Sequence, residues 1–572
     1  MSDFPASRSH APAADAGHWW RDLLLLMLML GVLFGNELGS RTLWEPDEGR
    51  YAEIPREMVQ TGDYLTPRLN GVKYFEKPAL FYWLQAGAIR VFGLNEWSLR
   101  LWTALFALLG CLMVYVAARR LYSRRAGWLA AGVLATSPMY DFLGSIITLD
   151  MAVSTFLTFA LLAFLLGVRE PPGQARRLWL WGFYAACALA TLTKGLIGMV
   201  LPAMVVGAWM LLLNEWRQLR TLYLPTGLLL FLAIAAPWHV LVARANPEFA
   251  QFYFIHEHFQ RYLTTVHQRY EPAWFFIPVL VLGMFPWIAF VGHAVKDAMP
   301  GAWSERRLHR ESWFLVLWAG LVFLFFSASQ SKLIPYILPV LPPLALLLGR
   351  YLARAWDHSE LLGPRRVFWL VLVLGLGMAF AVLYVRHHLP AHPRAESMLG
   401  LVGTHLYWMA AALLLAAVVP FAFSRWRNCR RTIASLLAVS VLVIAVFDTS
   451  LPRLNDFRSV KPLALILKPM LHPDDEVMAY QTYYQDLPVY LERRITVVGW
   501  KGELEFGMQV EDTSAWMIEE PAFWERWEGA RRVYLLTALD NYDKLRAEGR
   551  GQFRLIAQSG PNVLVTNRMV QP

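Results

Sequence analysis

The sequence predicts a polytopic α-helical membrane protein of about 13 transmembrane helices, followed by a small C-terminal α/β domain outside the bilayer. Three observations predict it. The 572 residues are 56% hydrophobic and only 17% charged, with mean hydropathy +0.37, too apolar for a water-facing surface of this size. Apolar runs long enough to cross a bilayer recur from the N-terminus to about residue 450, where the composition changes. Basic clusters fall in every second connection between those runs.

Charge and cysteine content narrow the function classes. A net charge of +10 in a soluble chain would point to nucleic acid. Here the surplus lies in short connections, where it orients helices, so no nucleic-acid partner is expected. The 25 tryptophans suit helix ends at the membrane interface. Cys111, Cys187 and Cys429 lie in or beside apolar segments and imply no disulfide framework.

Residues 1–18 form a polar tail. No small-residue cleavage site follows the run Leu23–Leu33, so an uncleaved first helix is expected rather than a signal peptide. The spans centre near 21–38, 99–118, 126–142, 147–168, 178–192, 196–213, 221–242, 273–294, 312–328, 334–349, 366–385, 403–423 and 432–448. The short spans 178–192 and 196–213 meet at Lys194-Gly195 and read as separate spans or as one broken helix. Arg119-Arg120 with Arg124-Arg125, Arg176-Arg177, Arg217 with Arg220, Arg306-Arg307, Arg365-Arg366, and Arg425 with Arg427, Arg430 and Arg431 mark the cytoplasmic side. The connections 39–97, 142–147, 243–271, 329–333 and 387–402 then face outward, with the N-terminus inside and the C-terminus outside.

The first outward connection, 39–97, carries two segments too short to span. Residues 78–92 are apolar and flanked by Lys77 and Arg90, and residues 47–60 are interrupted by Pro55. Both are expected to lie in the interface plane. The division is therefore a membrane domain over 1–450 and an outer α/β domain over 451–572. In the latter, strands Val477–Tyr480, Ile495–Val498, Val533–Thr537, Phe553–Ala557 and Val563–Thr566 alternate with helices near 484–493 and 540–548.

Several chemistries have no signature here. There is no Walker A sequence, no Gly-rich dinucleotide loop, no His-Glu-x-x-His and no Asp-x-Asp. A diphosphate leaving group normally needs a divalent cation, whereas a monophosphate can be held by Lys, Arg and Tyr. No cofactor is therefore required.

The candidates cluster in the outward loops. Asp47 and Glu48 open the segment Asp47-Glu48-Gly49-Arg50-Tyr51, where a plain helix start competes with an acid site. Arg50, Tyr51, Glu76 and Lys77 share that loop, and Lys77 is either a snorkelling anchor or a phosphate ligand. Asp150 opens a span, where capping competes with chemistry. Lys194 sits between two short spans, at a break or in a cavity. Lys332 and Tyr336, spaced i,i+4, share a helix face and would suit a phosphate as well as a membrane belt. His256-Glu257-His258 lies beside Arg261 and Tyr262, more in keeping with an ordinary polar surface than a metal site. If a divalent cation binds, Glu76 and His256 are the candidate ligands.

Pro46-Asp47-Glu48-Gly49-Arg50-Tyr51-Ala52-Glu53-Ile54, Gly62-Asp63, Tyr74-Phe75-Glu76-Lys77-Pro78, Thr193-Lys194-Gly195 and Ser331-Lys332-Leu333-Ile334-Pro335-Tyr336 resemble the bacterial aminoarabinose (4-amino-4-deoxy-L-arabinose) lipid A transferases. They also resemble the protein O-mannosyltransferase-like enzymes of the same GT-C superfamily. The likeness covers roughly 1–450 well and the C-terminal domain only in general character. It implies a GT-C fold, an undecaprenyl-phosphate sugar donor and an active site on the periplasmic face of the bacterial inner membrane. Asp47 matches the catalytic aspartate, with Glu48 beside it and Asp150 as a second acid. Arg50, Tyr51, Lys77, Lys194, Lys332 and Tyr336 fall among the donor- and phosphate-binding groups. The favoured acceptor is lipid A phosphate, the alternative being protein Ser/Thr or another envelope glycan, and a monomer is expected. Two other classes compete. A lipid-linked sugar transporter or flippase would concentrate ionisable residues at mid-bilayer, unlike this chain. A non-catalytic envelope scaffold would use the C-terminal domain for binding.

Overall fold

The computed structural model describes residues 18–36, 38–260, 271–358, 366–388, 393–426 and 428–568. Arg261, Tyr262 and Arg427 lie outside the described residues, as does the side chain of His258.

The membrane part opens with α1 (Trp19–Gly35), then α2 (Asp47–Thr61), strands β1 (Arg68–Leu69) and β2 (Val72–Lys73), and α3 (Leu80–Phe92). Next come α4 (Glu96–Leu121), α5 (Arg124–Ala135), α6 (Pro138–Ser145), α7 (Leu149–Gly167), α8 (Gln174–Lys194), α9 (Ile197–Leu213) and α10 (Leu224–Ala245). The helices from Phe276 to Ser450 complete it. Helix is present at every expected span, but the count of about 13 is not reproduced as full-length crossings. Among the described residues, 8 helices are long and apolar enough to cross, or 9 if the pair Phe276–Gly283 and Ile288–Ala298, bent by 96°, is one span. The expected span 126–142 is the two short helices α5 and α6, and 178–192 and 196–213 are separate helices broken at Gly195, φ 84°.

α7 lies at the centre of the bundle, with all but Asp150, Phe156 and Phe159 buried. That is why it is apolar all round rather than striped. Asp22 ties α1 to the C-terminal end of α4 and the first turn of α5, accepting from Tyr115 (2.7 Å), Arg119 (2.7 Å) and Arg124 (2.6 Å).

α2 and α3 are the two segments too short to span. α2 has two acids in its first turn, which favour its N-terminus, and ends at Gly62, whose φ of 76° favours glycine. It is polar by composition yet almost wholly buried, so its charges are paired: Arg56 grips Glu53 through Nε at 2.6 Å and Nη2 at 2.5 Å. It packs against α3, β1 and the helix Leu487–Leu491 of the C-terminal domain.

That domain is built on a six-stranded sheet in the order β5-β4-β3-β6-β8-β7. The strands are β3 (Glu476–Tyr480), β4 (Thr496–Val498), β5 (Met517–Ile518), β6 (Val533–Ala538), β7 (Arg554–Ser559) and β8 (Asn562–Thr566). β5, β4, β3 and β6 are parallel and β8 and β7 antiparallel. Five strands fall where the sequence predicts them. The two-residue β5 is too short to leave a periodic signal.

Candidate active site

Glu76 and Lys77 ahead of α3, the first half of α7, the α8–α9 break, Glu257 and the segment 325–339 line a cavity of about 490 Å³. Its lining combines apolar side chains, among them Val153, Leu157, Ile197, Val200, Leu201, Phe325 and Phe326, with the charged or polar Glu76, Lys77, Asp150, Lys194, Glu257 and Tyr336. Such a mixed lining suits a molecule with a lipid tail and an ionised head.

Lys194 is the last residue of α8, where the helix dipole favours a cation. Its ammonium pairs with the Asp150 carboxylate and lies 4.8 Å from the Tyr336 ring centroid. The break that delivers it depends on Gly198. A Cβ there would come within 2.3 Å of the Thr191 amide nitrogen, so a side chain would push α9 off α8. Asp150 does not cap its helix, since Thr148 holds the N-cap position and Asp150 turns to Lys194. Lys77 donates to the Glu76 carbonyl at 2.8 Å and lies 3.5 Å from Glu257, which is buried.

Asp47, Arg50 and Tyr51 stand beside this cavity rather than in its wall. Asp47, with 55% of its side chain exposed, accepts from Arg50 Nη1 at 3.3 Å. Tyr51 is buried, with its ring 6.3 Å from that of Tyr82 and the Arg50 guanidinium 5.7 Å above it. Burial pushes the Tyr51 phenol well above its usual range; Arg50 pulls it back in part, and the negative charges of Asp47, Glu76 and Asp150 add to the rise. The phenol is therefore a protonated donor at neutral pH.

Three residues are corrected by their partners. Glu48 is 1% exposed, and its carboxylate is consumed by the fully buried Arg100 (Nε to Oε1 2.8 Å, Nη2 to Oε2 2.8 Å) and by the amides of Trp44 and Ile147. With no oxygen left for substrate, it is a structural anion rather than a catalytic one. Lys332 is buried and donates to the carbonyls of Glu271 (2.7 Å) and Ser329 (2.6 Å), so it shapes the wall at Ser329 and Ser331 instead of reaching the cavity. Arg50 spends Nε and Nη2 on Gln485 and Glu503 of the C-terminal domain, so it is a clasp rather than a phosphate ligand.

His256 stacks on Phe252 at 5.0 Å and pairs with Glu257, while Glu76 faces the cavity. Among the described residues no three His, Cys, Asp or Glu side chains converge as a metal site would require. Sequence reasoning passed over Glu257, although it stood between the two histidines, and had no signal for Gln485 or Glu503.

Comparison with known proteins gives this geometry a context. Residues 19–253 match the family described as dolichyl-phosphate-mannose-protein mannosyltransferase, and residues 463–567 match the aminoarabinose transferase C-terminal domain. The undecaprenyl phosphate-alpha-4-amino-4-deoxy-L-arabinose arabinosyl transferase of Pectobacterium carotovorum is 30% identical over 523 residues, covering 87% of this chain and 89% of its own. That of Edwardsiella ictaluri is 30% identical over 550 residues, covering 91% and 94%. The crystal structure of ArnT from Cupriavidus metallidurans bound to undecaprenyl phosphate superposes with a TM-score of 0.83 at 30% identity, covering 97% of this chain and all of the other.

Proposed function

We propose a reaction from one premise: the chain belongs to the family of undecaprenyl phosphate-alpha-4-amino-4-deoxy-L-arabinose arabinosyl transferases. It is a multi-pass membrane glycosyltransferase that takes its sugar from an undecaprenyl-phosphate donor. The sugar is 4-amino-4-deoxy-L-arabinose and the acceptor a lipid A phosphate on the periplasmic face of the inner membrane. The observation that carries this reading is the cavity lined by both apolar side chains and the charged Lys77, Lys194, Asp150 and Glu257, which fits a prenyl phosphate head and the start of its tail.

An acceptor phosphate oxygen attacks the anomeric carbon as the bond to the donor phosphate oxygen breaks, and undecaprenyl phosphate leaves. The charge growing on the leaving oxygen falls to Lys77 and Lys194, with the Tyr336 hydroxyl as a further donor. Asp150 aims Lys194, and Glu257 aims Lys77. An acceptor phosphate is already ionised near neutral pH, so Asp47 orients the reactants and the sugar ammonium rather than removing a proton. With the leaving charge met by two ammonium groups, a divalent cation between Glu76 and His256 is not required. Chelator treatment is expected to leave transfer unchanged, and a loss restored by added metal would show otherwise.

The orientation follows from Arg119, Arg120, Arg124 and Arg125 on the cytoplasmic side. The C-terminal domain then sits in the periplasm, and the protein acts as a monomer. The test is mass spectrometry of lipid A from cells with and without the protein. A phosphate-linked aminopentose only in cells that carry it is the expected result. Unchanged lipid A together with glycosylated protein would replace this acceptor by Ser/Thr.

A further inference from the structure

In open α/β sheets, ligands meet the loops at the carboxyl ends of parallel strands. In the C-terminal domain those loops, 481–486 after β3 and 499–504 after β4, are spent on α2. Their contact is close. A Cβ on Gly49 would lie 2.5 Å from the Asp486 amide nitrogen and 2.7 Å from the Gln485 carbonyl carbon, so backbone meets backbone there. Both loops converge on one guanidinium. Glu503 Oε1 accepts from Arg50 Nε at 2.8 Å and lies 2.7 Å from Nη2. Gln485 Oε1 accepts from the same Nε at 3.1 Å, and its amide donates to Glu503 at 2.6 Å. The remaining nitrogen, Nη1, faces Asp47 at 3.3 Å.

We infer that Glu503 is a positioning residue for the transfer reaction: by holding two nitrogens of Arg50, it fixes where the third meets Asp47. A guanidinium is a rigid planar fork, so fixing one edge fixes the other. Without Glu503, Arg50 turns to grip both oxygens of Asp47, one helical turn away, and the carboxylate is drawn from the reactants. The inference rests on Asp47 acting in the reaction proposed above. It makes the C-terminal domain part of the reaction centre, although Glu503 touches no reacting atom.

The test compares full-length wild type, Glu503→Ala, Glu503→Asp and Glu503→Gln in lipid vesicles with undecaprenyl-phosphate aminoarabinose and lipid A. Displacing a reacting group by about 1 Å costs on the order of 100-fold in rate. Glu503→Ala is expected to lose kcat on that scale with the donor KM unchanged, and Glu503→Asp to recover part of it. In an Asp47→Asn background, Glu503→Ala should cost nothing further, because its effect passes through that carboxylate. A wild-type kcat in Glu503→Ala, a loss confined to KM, or full additivity with Asp47→Asn overturns the inference. A wild type inactive on lipid A would instead refute the acceptor. Positioning is then read from the structure of Glu503→Gln, which keeps the shape of the clasp. Arg50 swung onto Asp47 supports the inference, and Arg50 left in place overturns it.

Discussion

Asp47 and Glu48 are neighbours of the same charge, yet their replacement should fail in opposite ways. Glu48→Ala removes a carboxylate that accepts four hydrogen bonds, two from Arg100 and one each from the Trp44 and Ile147 amides. The Arg100 guanidinium left behind is fully buried, and the carbonyls of Leu38, Arg41 and Thr42 that it also binds do not neutralise it. Stranding one member of a buried ion pair costs about 3–5 kcal/mol. Against a total stability of about 5–15 kcal/mol, that is a large fraction. Glu48→Ala should therefore lower the thermal midpoint of the purified protein sharply, with activity lost in proportion to the unfolded fraction. Asp47→Asn should leave the midpoint unchanged and reduce transfer by about 100-fold, the scale of a lost orienting contact. Both are measured on one preparation, by thermal unfolding in detergent and by transfer to lipid A. A Glu48→Ala protein with a native midpoint but no activity would refute the structural assignment and return Glu48 to the chemistry.

Three further outcomes are expected. Lys194→Met should cut transfer by about 100-fold or more, because it removes a charge poised for the leaving phosphate, while Asp150→Asn should cost less by leaving that charge in place; equal losses would mean that Asp150 acts on the substrate itself. Gly198→Ala should impair activity without removing any polar side chain, since it displaces the break that carries Lys194, and normal activity would show that the break tolerates the added carbon. The docking of the C-terminal domain should weaken as pH rises. Burial first, and the facing Asp486 charge second, hold the Glu45 carboxyl well above its usual range, and burial also raises Asp486 and Glu57. A carboxyl raised in the folded state favours that state while protonated, so its contribution is lost as pH climbs from the ordinary carboxylate range through the raised values. Limited proteolysis between about pH 5 and pH 9 should show faster cleavage at the alkaline end, and Glu45→Gln should flatten the profile.

Much of this architecture was legible because it rests on local pattern. Apolar runs located helices and five of the six strands of the C-terminal sheet, and the segments 47–60 and 78–92, too short to span, located α2 and α3. The number of full crossings was not legible, because α5 and α6 divide one apolar run between two short helices. At the site, residue types on one loop were visible, but their partners were not. Glu48 finds Arg100 at a separation of 52 residues and Arg50 finds Glu503 at 453, and no periodicity links positions so far apart. Charged groups near a membrane are all plausible ligands until burial shows which are already satisfied. That is why Glu48, Arg50 and Lys332 read as chemistry in the sequence and as framework in the fold.

The bare backbone contact at Gly49 also constrains how these proteins can diverge. At Gly49 the C-terminal module rests on the main chain of α2 with no side chain between them, so neither surface can drift alone. A chimaera that transplants residues 455–568 from a distant relative onto this membrane body should fail. The same graft carrying the donor's version of 42–57 should work, which makes that short helix and the distant module a single heritable unit.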